Sequence, residues 1–250
     1  SELGQKYGFT EAEQRKSYGK FGSTNRFAEW KREFDAYVQN GNLPQFTMLR
    51  LPRDHTRGTT NGALTPRGMV ADNDFAVGQV VEAVSHSPYW KETAICVVED
   101  DAQDGYDHVD AHRSIAFVIS PYIKRGTVDS RFYNTDSMLT TMEMLLNLPP
   151  LCLYDALASP ISVFGKSADN LEPYTAIMPS RAIATETNRA TAYRAKDSKR
   201  LIDVLQEESL PDKELNDILW HSIKGVSVHA PAIKHRVNPT RFQVSKAKKR

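Results

Sequence analysis

Hydrophobic side chains recur with the three- and four-residue spacing of an amphipathic helix in four stretches of the chain. The first covers residues 27–38, where Phe, Trp, Phe and Val share one face. The others cover residues 75–84, 138–146 and 215–223. The spacing therefore predicts four helices, each with one buried face.

Polar residues predict where these helices begin and end. Asp72 and Asp74 precede the second apolar face, and Asp136 or Ser137 precedes the third, so each is a candidate N-cap. Gly41 follows the first face and is suited to end that helix.

Three shorter apolar runs, at residues 46–51, 94–98 and 115–119, predict β-strands. The last two are rich in β-branched residues and nearly free of polar ones, as expected of strands covered on both faces of a parallel sheet. Alternation of helices with strands favours an α/β fold with a mostly parallel sheet flanked by helices. We expect an irregular N-terminal arm at residues 1–26, an α/β core at 27–155, and a helical and irregular C-terminal extension at 156–250 with a basic tail.

Carboxylates and imidazoles are concentrated in the loop between the two later strands. Asp100 and Asp101 follow the strand directly, and His108 and His112 come next. Functional groups in open α/β sheets lie beyond the carboxyl ends of the strands. Adjacent carboxylates repel, and a divalent cation allows both to stay ionised. The sequence thus predicts a metal-binding edge of the sheet, the alternative being a solvated turn or a helix cap.

Composition narrows the function classes. The 32 Lys and Arg residues nearly balance the 31 Asp and Glu residues, so nothing favours a polyanion-binding protein. The basic C-terminal tail lacks interleaved aromatic residues, and no nucleic-acid partner is expected. No segment of the sequence reaches the apolar length of a transmembrane helix.

Several short motifs together resemble a known family. They are Leu-Pro-Arg-Asp-His-Thr at residues 51–56, Val-Glu-Asp-Asp at 98–101, Asp-His-Val at 107–109 and Ile-Ser-Pro-Tyr at 119–122. The sequence resembles the C-terminal half of the phosphoesterase family that includes bacterial phospholipase C and acid phosphatases, a branch of the alkaline phosphatase superfamily. The resemblance implies an alkaline phosphatase-like core that lacks its N-terminal part.

Position by position, the resemblance implies ligands for one or two zinc or manganese ions. Carboxylates and imidazoles suit these cations, and two ions about 4 Å apart can clamp the attacking and leaving oxygens of phosphoryl transfer. Asp100 and Asp101 would bind one ion. The expected ligands of the other are Asp54, His55 and His112, with His108 as the alternative to His112.

Basic residues near the same edge are candidates for binding phosphate oxygens. These are Arg113, Lys124 and Arg125.

The nucleophile is where the chain departs from the family. Members generally place an aspartate ligand and a Ser or Thr nucleophile on the first strand and the following helix, and no such segment precedes Phe27. Thr56 is the local hydroxyl to consider as a substitute, and an activated water is the other option. We therefore expect a metal-dependent hydrolase of phosphate esters in partial or truncated form. The alternative is a non-catalytic module that binds an anionic ligand or a partner protein.

The resemblance also indicates partners and location. It implies a small phosphate ester or a lipid as substrate, and an upstream domain of the same polypeptide as a further partner. It favours a periplasmic or secreted protein.

Overall fold

The computed structural model describes residues 26–99, 105–107, 109–204 and 211–234. The predicted metal ligands Asp100 and Asp101 and the alternative ligand His108 lie outside the described residues. The predicted N-terminal arm up to residue 25 and the basic tail from residue 235 also lie outside them.

Helix α1 spans Arg26–Asn40 and confirms the first predicted helix. Its apolar face buries Phe34, and Trp30 stacks on Phe34 with ring centroids 4.9 Å apart. The chain leaves the helix through Gly41 at a φ of 67°, a conformation that glycine adopts without a steric penalty.

Helix α2 spans Pro66–Ser85 and begins earlier than predicted. The Thr65 hydroxyl accepts a hydrogen bond from the Gly68 N–H at 3.2 Å, and Pro66 supplies a helical φ at the first position. Asp72 and Asp74 therefore lie inside the helix, and their predicted role as caps is wrong. The predicted buried face is confirmed at Phe75 and at two valines further along the helix.

The sheet of the described residues has two strands, β1 (Ile95–Val98) and β2 (Ala116–Ile119). Both strands were predicted, but they pair antiparallel, with Ile95 opposite Ile119 and Val98 opposite Ala116. Both strands were predicted as members of a mostly parallel sheet, and for this pair that prediction is wrong, because an apolar run carries no signal for the direction of its partner strand.

The prediction of a third strand at residues 46–51 is also wrong. This stretch is irregular, and its largest apolar side chains are exposed. Arg26 Nη1 donates to the Arg50 carbonyl at 3.1 Å, so the segment is held by side chains instead of by a sheet.

Helix α3 spans Thr135–Leu146 and confirms the third predicted helix, with Asn134 as its N-cap. Ser137, one of the two predicted caps, forms the capping box with Asn134. Met138 is buried as predicted, whereas Leu145 is 54% exposed and its predicted burial is wrong. Short helix α4, Leu153–Leu157, follows and packs on α3.

The C-terminal helices are α5 (Arg181–Ala184), α6 (Ala195–Val204) and α7 (Asp212–Lys224). Helix α7 confirms the fourth predicted helix and buries Leu215 and Ile218 against Leu201 of α6. A larger cluster around Phe34, Val84 and Trp90 joins α1, α2 and the sheet.

The described part of the chain is thus a mixed fold, mainly helical, with one small antiparallel sheet. A mostly parallel sheet is not seen in that part. None of the described helices is both long and apolar enough to span a bilayer.

Candidate active site

The motif Asp54-His55-Thr56 lies in a turn whose first and last residues, Arg53 and Thr56, have left-handed backbone conformation. Arg53 has a φ of 95° and Thr56 a φ of 63°. The Thr56 N–H donates to the Arg53 carbonyl at 3.1 Å and closes the turn. Such conformations cost about 1–3 kcal/mol each and persist only where the surroundings impose them. The backbone around Asp54 and His55 is therefore held in place by its neighbours.

Helix α2 supplies part of that support. Arg53 Nε lies 3.3 Å from Asp72 Oδ2, and both side chains are buried, at 9% and 3% exposure. Asn73 Nδ2 donates to the carbonyls of Leu51 and Pro52 at 3.1 and 3.0 Å. Asp72 thus anchors the motif turn, a role that no local sequence signal revealed.

The Thr56 hydroxyl is engaged inside its own loop. Its Oγ1 accepts a hydrogen bond from the Gly58 N–H at 3.1 Å. This bond shapes the chain after the motif, and the role of Thr56 as nucleophile stays a prediction.

The loop before β2 is organised by Asp107. Its Oδ1 accepts hydrogen bonds from the N–H groups of Val109 and Asp110 at 2.6 and 3.0 Å. Arg113 donates to Oδ2 through Nε at 3.1 Å and Nη2 at 2.8 Å. The Arg113 guanidinium, followed by the Val109 N–H, lowers the pKa of Asp107 to about 2. Asp107 is therefore ionised at neutral pH.

Asp110 holds the predicted metal ligand His112. Asp110 Oδ1 accepts the His112 N–H at 2.9 Å and lies 2.8 Å from His112 Nδ1. The Asp110 side chain is nearly buried, while the imidazole is largely exposed. A carboxylate at one ring nitrogen is the usual support of a metal-binding histidine, since it fixes the tautomer and leaves the other nitrogen as ligand. The arrangement thus suits His112 for the role that the sequence predicted.

The three predicted phosphate-binding residues differ in their surroundings. Arg113 is paired with Asp107, as described above. Arg125 Nη2 donates to the Tyr174 hydroxyl at 2.7 Å, and its guanidinium lies 5.3 Å from the centre of that ring. Lys124 is exposed. Phosphate binding by these residues stays a prediction.

The described metal-ligand candidates do not form a complete site by themselves. Within residues 26–99, 105–107, 109–204 and 211–234, no three His, Cys, Asp or Glu side chains are grouped closely enough to hold one ion. The structure therefore does not bring Asp54, His55 and His112, the predicted ligands of one ion, together as a set of three. Asp100 and Asp101, predicted to bind the other ion, lie outside the described residues.

The Phosphoesterase family model matches residues 6–149, which include both the motif turn and the loop before β2. The chain belongs to the phosphoesterase family. This confirms the resemblance found in the motifs.

A distant relative is consistent with the family. Non-specific phospholipase C6 of Arabidopsis thaliana is 24% identical over 153 residues, covering 48% of this chain and 29% of that protein. The chain thus spans less than a third of the length of that relative. No solved structure matches the chain.

The family match ends at residue 149, yet later residues contact residues 57–64 of this phosphoesterase, here called the motif loop because they directly follow the motif turn. Asn188 and Ser198 donate to backbone carbonyls of the loop that follows Thr56. Sequence reasoning missed both residues, because polar residues in a Pro-, Ser- and Thr-rich stretch carry no signal for a contact so far away along the chain.

Proposed function

We propose that this phosphoesterase chain carries part of the active site of a metal-dependent hydrolase of phosphate esters. The family match over residues 6–149 is the observation that carries the proposal, because one matched region contains both the Asp54-His55-Thr56 turn and the loop of Asp107, Asp110 and His112.

The proposed metal is zinc or manganese, as one or two ions. The proposed ligands are Asp54, His55, His112, Asp100 and Asp101. When bound, such ions would polarise the phosphoryl oxygen and lower the pKa of the attacking hydroxyl or water. Mixed carboxylate and imidazole donors fit these cations.

The chain's own residues have distinct parts in this proposal. Asp110 orients the His112 ring through the 2.8 Å contact at Nδ1. Asp72 holds Arg53, which fixes the start of the turn that carries Asp54 and His55. The attacking group is either the Thr56 hydroxyl or a water, or it is supplied by another part of the same polypeptide.

The proposed substrate is a phosphate ester, with a phospholipid as one candidate. The similarity to a phospholipase, although distant, supports a lipid phosphate ester as the substrate. Monoesters and diesters both remain candidates, since the motifs concern the metal site and not the groups that select the substrate.

We further propose that another part of the polypeptide completes the domain. Three apolar side chains on or next to the two-stranded sheet, Val98, Ile115 and Phe117, are 46–54% exposed. Exposed apolar clusters commonly mark surfaces that contact further protein. An upstream segment packed against the sheet would cover these side chains. It also agrees with the alignment to the phospholipase, in which this chain covers only 29% of that protein.

Turnover of three substrates tests the proposed function. The metal-free chain, reloaded with zinc or with manganese, is assayed on p-nitrophenyl phosphate, bis(p-nitrophenyl) phosphate and phosphatidylcholine vesicles. We expect hydrolysis of at least one ester. His55→Ala and His112→Ala should each lower the rate of hydrolysis about 100-fold or more, because removing a metal ligand costs more than removing a residue that supports one. The matched control is His86→Ala, whose ring nitrogen Nδ1 lies 2.8 Å from the Glu82 carbonyl near the end of α2.

Absence of turnover with either metal would contradict hydrolysis by this chain. The alternative function, a non-catalytic module for an anionic ligand or a partner protein, would then gain support if inorganic phosphate still bound. Equal losses in the His86 and His55 variants would contradict the assigned ligands.

A further inference from the structure

Two side chains from the C-terminal region hold a single peptide group in the motif loop. Asn188 Nδ2 donates to the Gly58 carbonyl at 3.0 Å, and the Thr59 N–H donates to Ser198 Oγ at 2.9 Å. These are the two polar ends of the peptide that joins Gly58 to Thr59. Asn188 is 8% exposed and Ser198 is fully buried. The contacts are therefore shielded from water, and each polar group depends on its partner.

The neighbouring peptide group connects this contact to the motif. Ser198 Oγ donates to the Arg57 carbonyl at 3.2 Å, and the N–H of the same peptide, on Gly58, donates to Thr56 Oγ1. A continuous series of hydrogen bonds thus runs from Ser198 to the side chain of Thr56.

The far end of the loop is bound by the same C-terminal segment. Asn188 Nδ2 also donates to the Leu64 carbonyl at 3.1 Å. The backbone of Asn188 exchanges hydrogen bonds with Gly62 and Ala63 at 2.9 and 2.8 Å. Asn188 therefore ties both ends of the 58–64 loop together.

The fit at Gly58 is close. Its φ is +50°, and a Cβ at this position would clash with Ser198 Oγ. The backbone of the loop thus approaches Ser198 as closely as only a glycine permits.

We propose that Asn188 and Ser198, here called the C-terminal clamp, are positioning residues that fix the backbone of Asp54-His55-Thr56. The inference rests on the proposed function of that motif. It goes beyond the family match, because the clamp lies after residue 149. The clamp acts through the loop and is not assigned to touch the substrate.

Two variants and one matched control test the clamp. Ser198→Ala removes one oxygen, and Asn188→Asp keeps the shape but removes both donors. Ser85→Ala is the control, since Ser85 is also buried, donates to a carbonyl and accepts the N–H of a distant residue, Tyr174. The readouts are hydrogen exchange of residues 53–64 and the imidazole NMR signals of His55, assigned with His55→Gln.

We expect exchange in residues 56–64 to rise about tenfold in both clamp variants, because buried backbone groups lose their partners. The His55 signals should move in these variants and stay unchanged in Ser85→Ala, under conditions where urea titration shows each protein folded. If Asn188→Asp fails to fold because of its buried charge, Ser198→Ala decides the question.

Faster exchange with unchanged His55 signals would overturn the proposal, since the clamp would then support the loop without affecting the motif. Unchanged exchange would overturn it as well. Neither readout requires turnover, so the clamp can be confirmed even if the chain hydrolyses no ester, a result that would count against the proposed function alone.

Discussion

Arg53 and Asp72 are the residues on which the geometry of the motif turn most directly depends. Both side chains are buried, and the 3.3 Å contact between them links the turn to α2. The left-handed φ of Arg53 is maintained at the same point. Removing one member of a buried ion pair leaves the other charge buried, which is more costly than losing the attraction between them.

The first prediction concerns this ion pair. Asp72→Ala should lower the free energy of unfolding by about 3–5 kcal/mol, measured by urea denaturation. The control is Asp35→Ala, which removes an exposed partner of Lys31 and should change stability by less than about 1 kcal/mol. Equal effects in the two variants would contradict the anchoring role of Asp72.

Gly58 and Gly62 give the second prediction, because both have positive φ but only Gly58 lies against a side chain. Gly58→Ala should destabilise the protein by at least about 1–3 kcal/mol, because it adds a steric clash to backbone strain. Gly62→Ala, with nothing within 4 Å of its Cβ, should show the smaller loss that arises from strain alone. Thermal or urea unfolding of the two variants makes the comparison, and equal losses would argue against the close contact with Ser198.

At the level of elements, α3 and α4 meet through two acidic residues. Glu143 of α3 is buried, and burial, followed by the nearby carboxylate of Asp155 of α4, raises its pKa. Burial would also raise the pKa of Asp155, but hydrogen bonds from Cys152 and the Leu151 N–H outweigh it and hold that pKa well below the ordinary value of 3.8. The surroundings of the pair thus favour the neutral form of Glu143 and the ionised form of Asp155.

The third prediction is a pH dependence of stability. Because the folded state raises the pKa of Glu143, its contribution is complete below the ordinary value of 4.5 and is lost as pH rises through the raised pKa. Glu143→Gln, which cannot ionise, should raise the urea midpoint at pH 8 relative to the parent protein and change it little at pH 4. A difference that is the same at both values would contradict a raised pKa.

Helices were predicted well because each depends on local spacing. The face of α1 and the buried pair Leu215 and Ile218 of α7 follow directly from the periodicity. The start of α2 was missed because the prediction relied on Asp72 and Asp74 as caps. Thr65-Pro66, which begins the helix, is the stronger local signal. Burial on α3 was only partly predicted, since the exposure of Leu145 depends on which elements pack beside the helix.

Strand pairing and site geometry were harder to predict. The apolar runs located β1 and β2, but an apolar strand looks the same whether its partner is parallel or antiparallel. His112 was identified as a candidate, while its support by Asp110 is a loop geometry that residue type does not encode. The clamp by Ser198 joins residues far apart in sequence, so no local pattern could reveal it.

For the whole molecule, the central proposal is that two separate segments of this phosphoesterase supply ligands for one or two metal ions. The Asp54-His55-Thr56 turn is fixed by α2 and by the C-terminal clamp, and the loop of His112 is organised by Asp107 and Asp110. Membership of the family supports the proposed phosphate-ester substrate. The claim therefore depends on whether the chain binds the ion.

Calorimetric titration of the metal-free protein with zinc tests this most directly. The parent protein should bind one or two ions at least about 100-fold more tightly than His55→Ala and than the Asp100→Ala, Asp101→Ala double variant, while Asp35→Ala should match the parent. Zinc binding that is absent from the parent, or equal in all four proteins, would contradict a metal site built from these two segments.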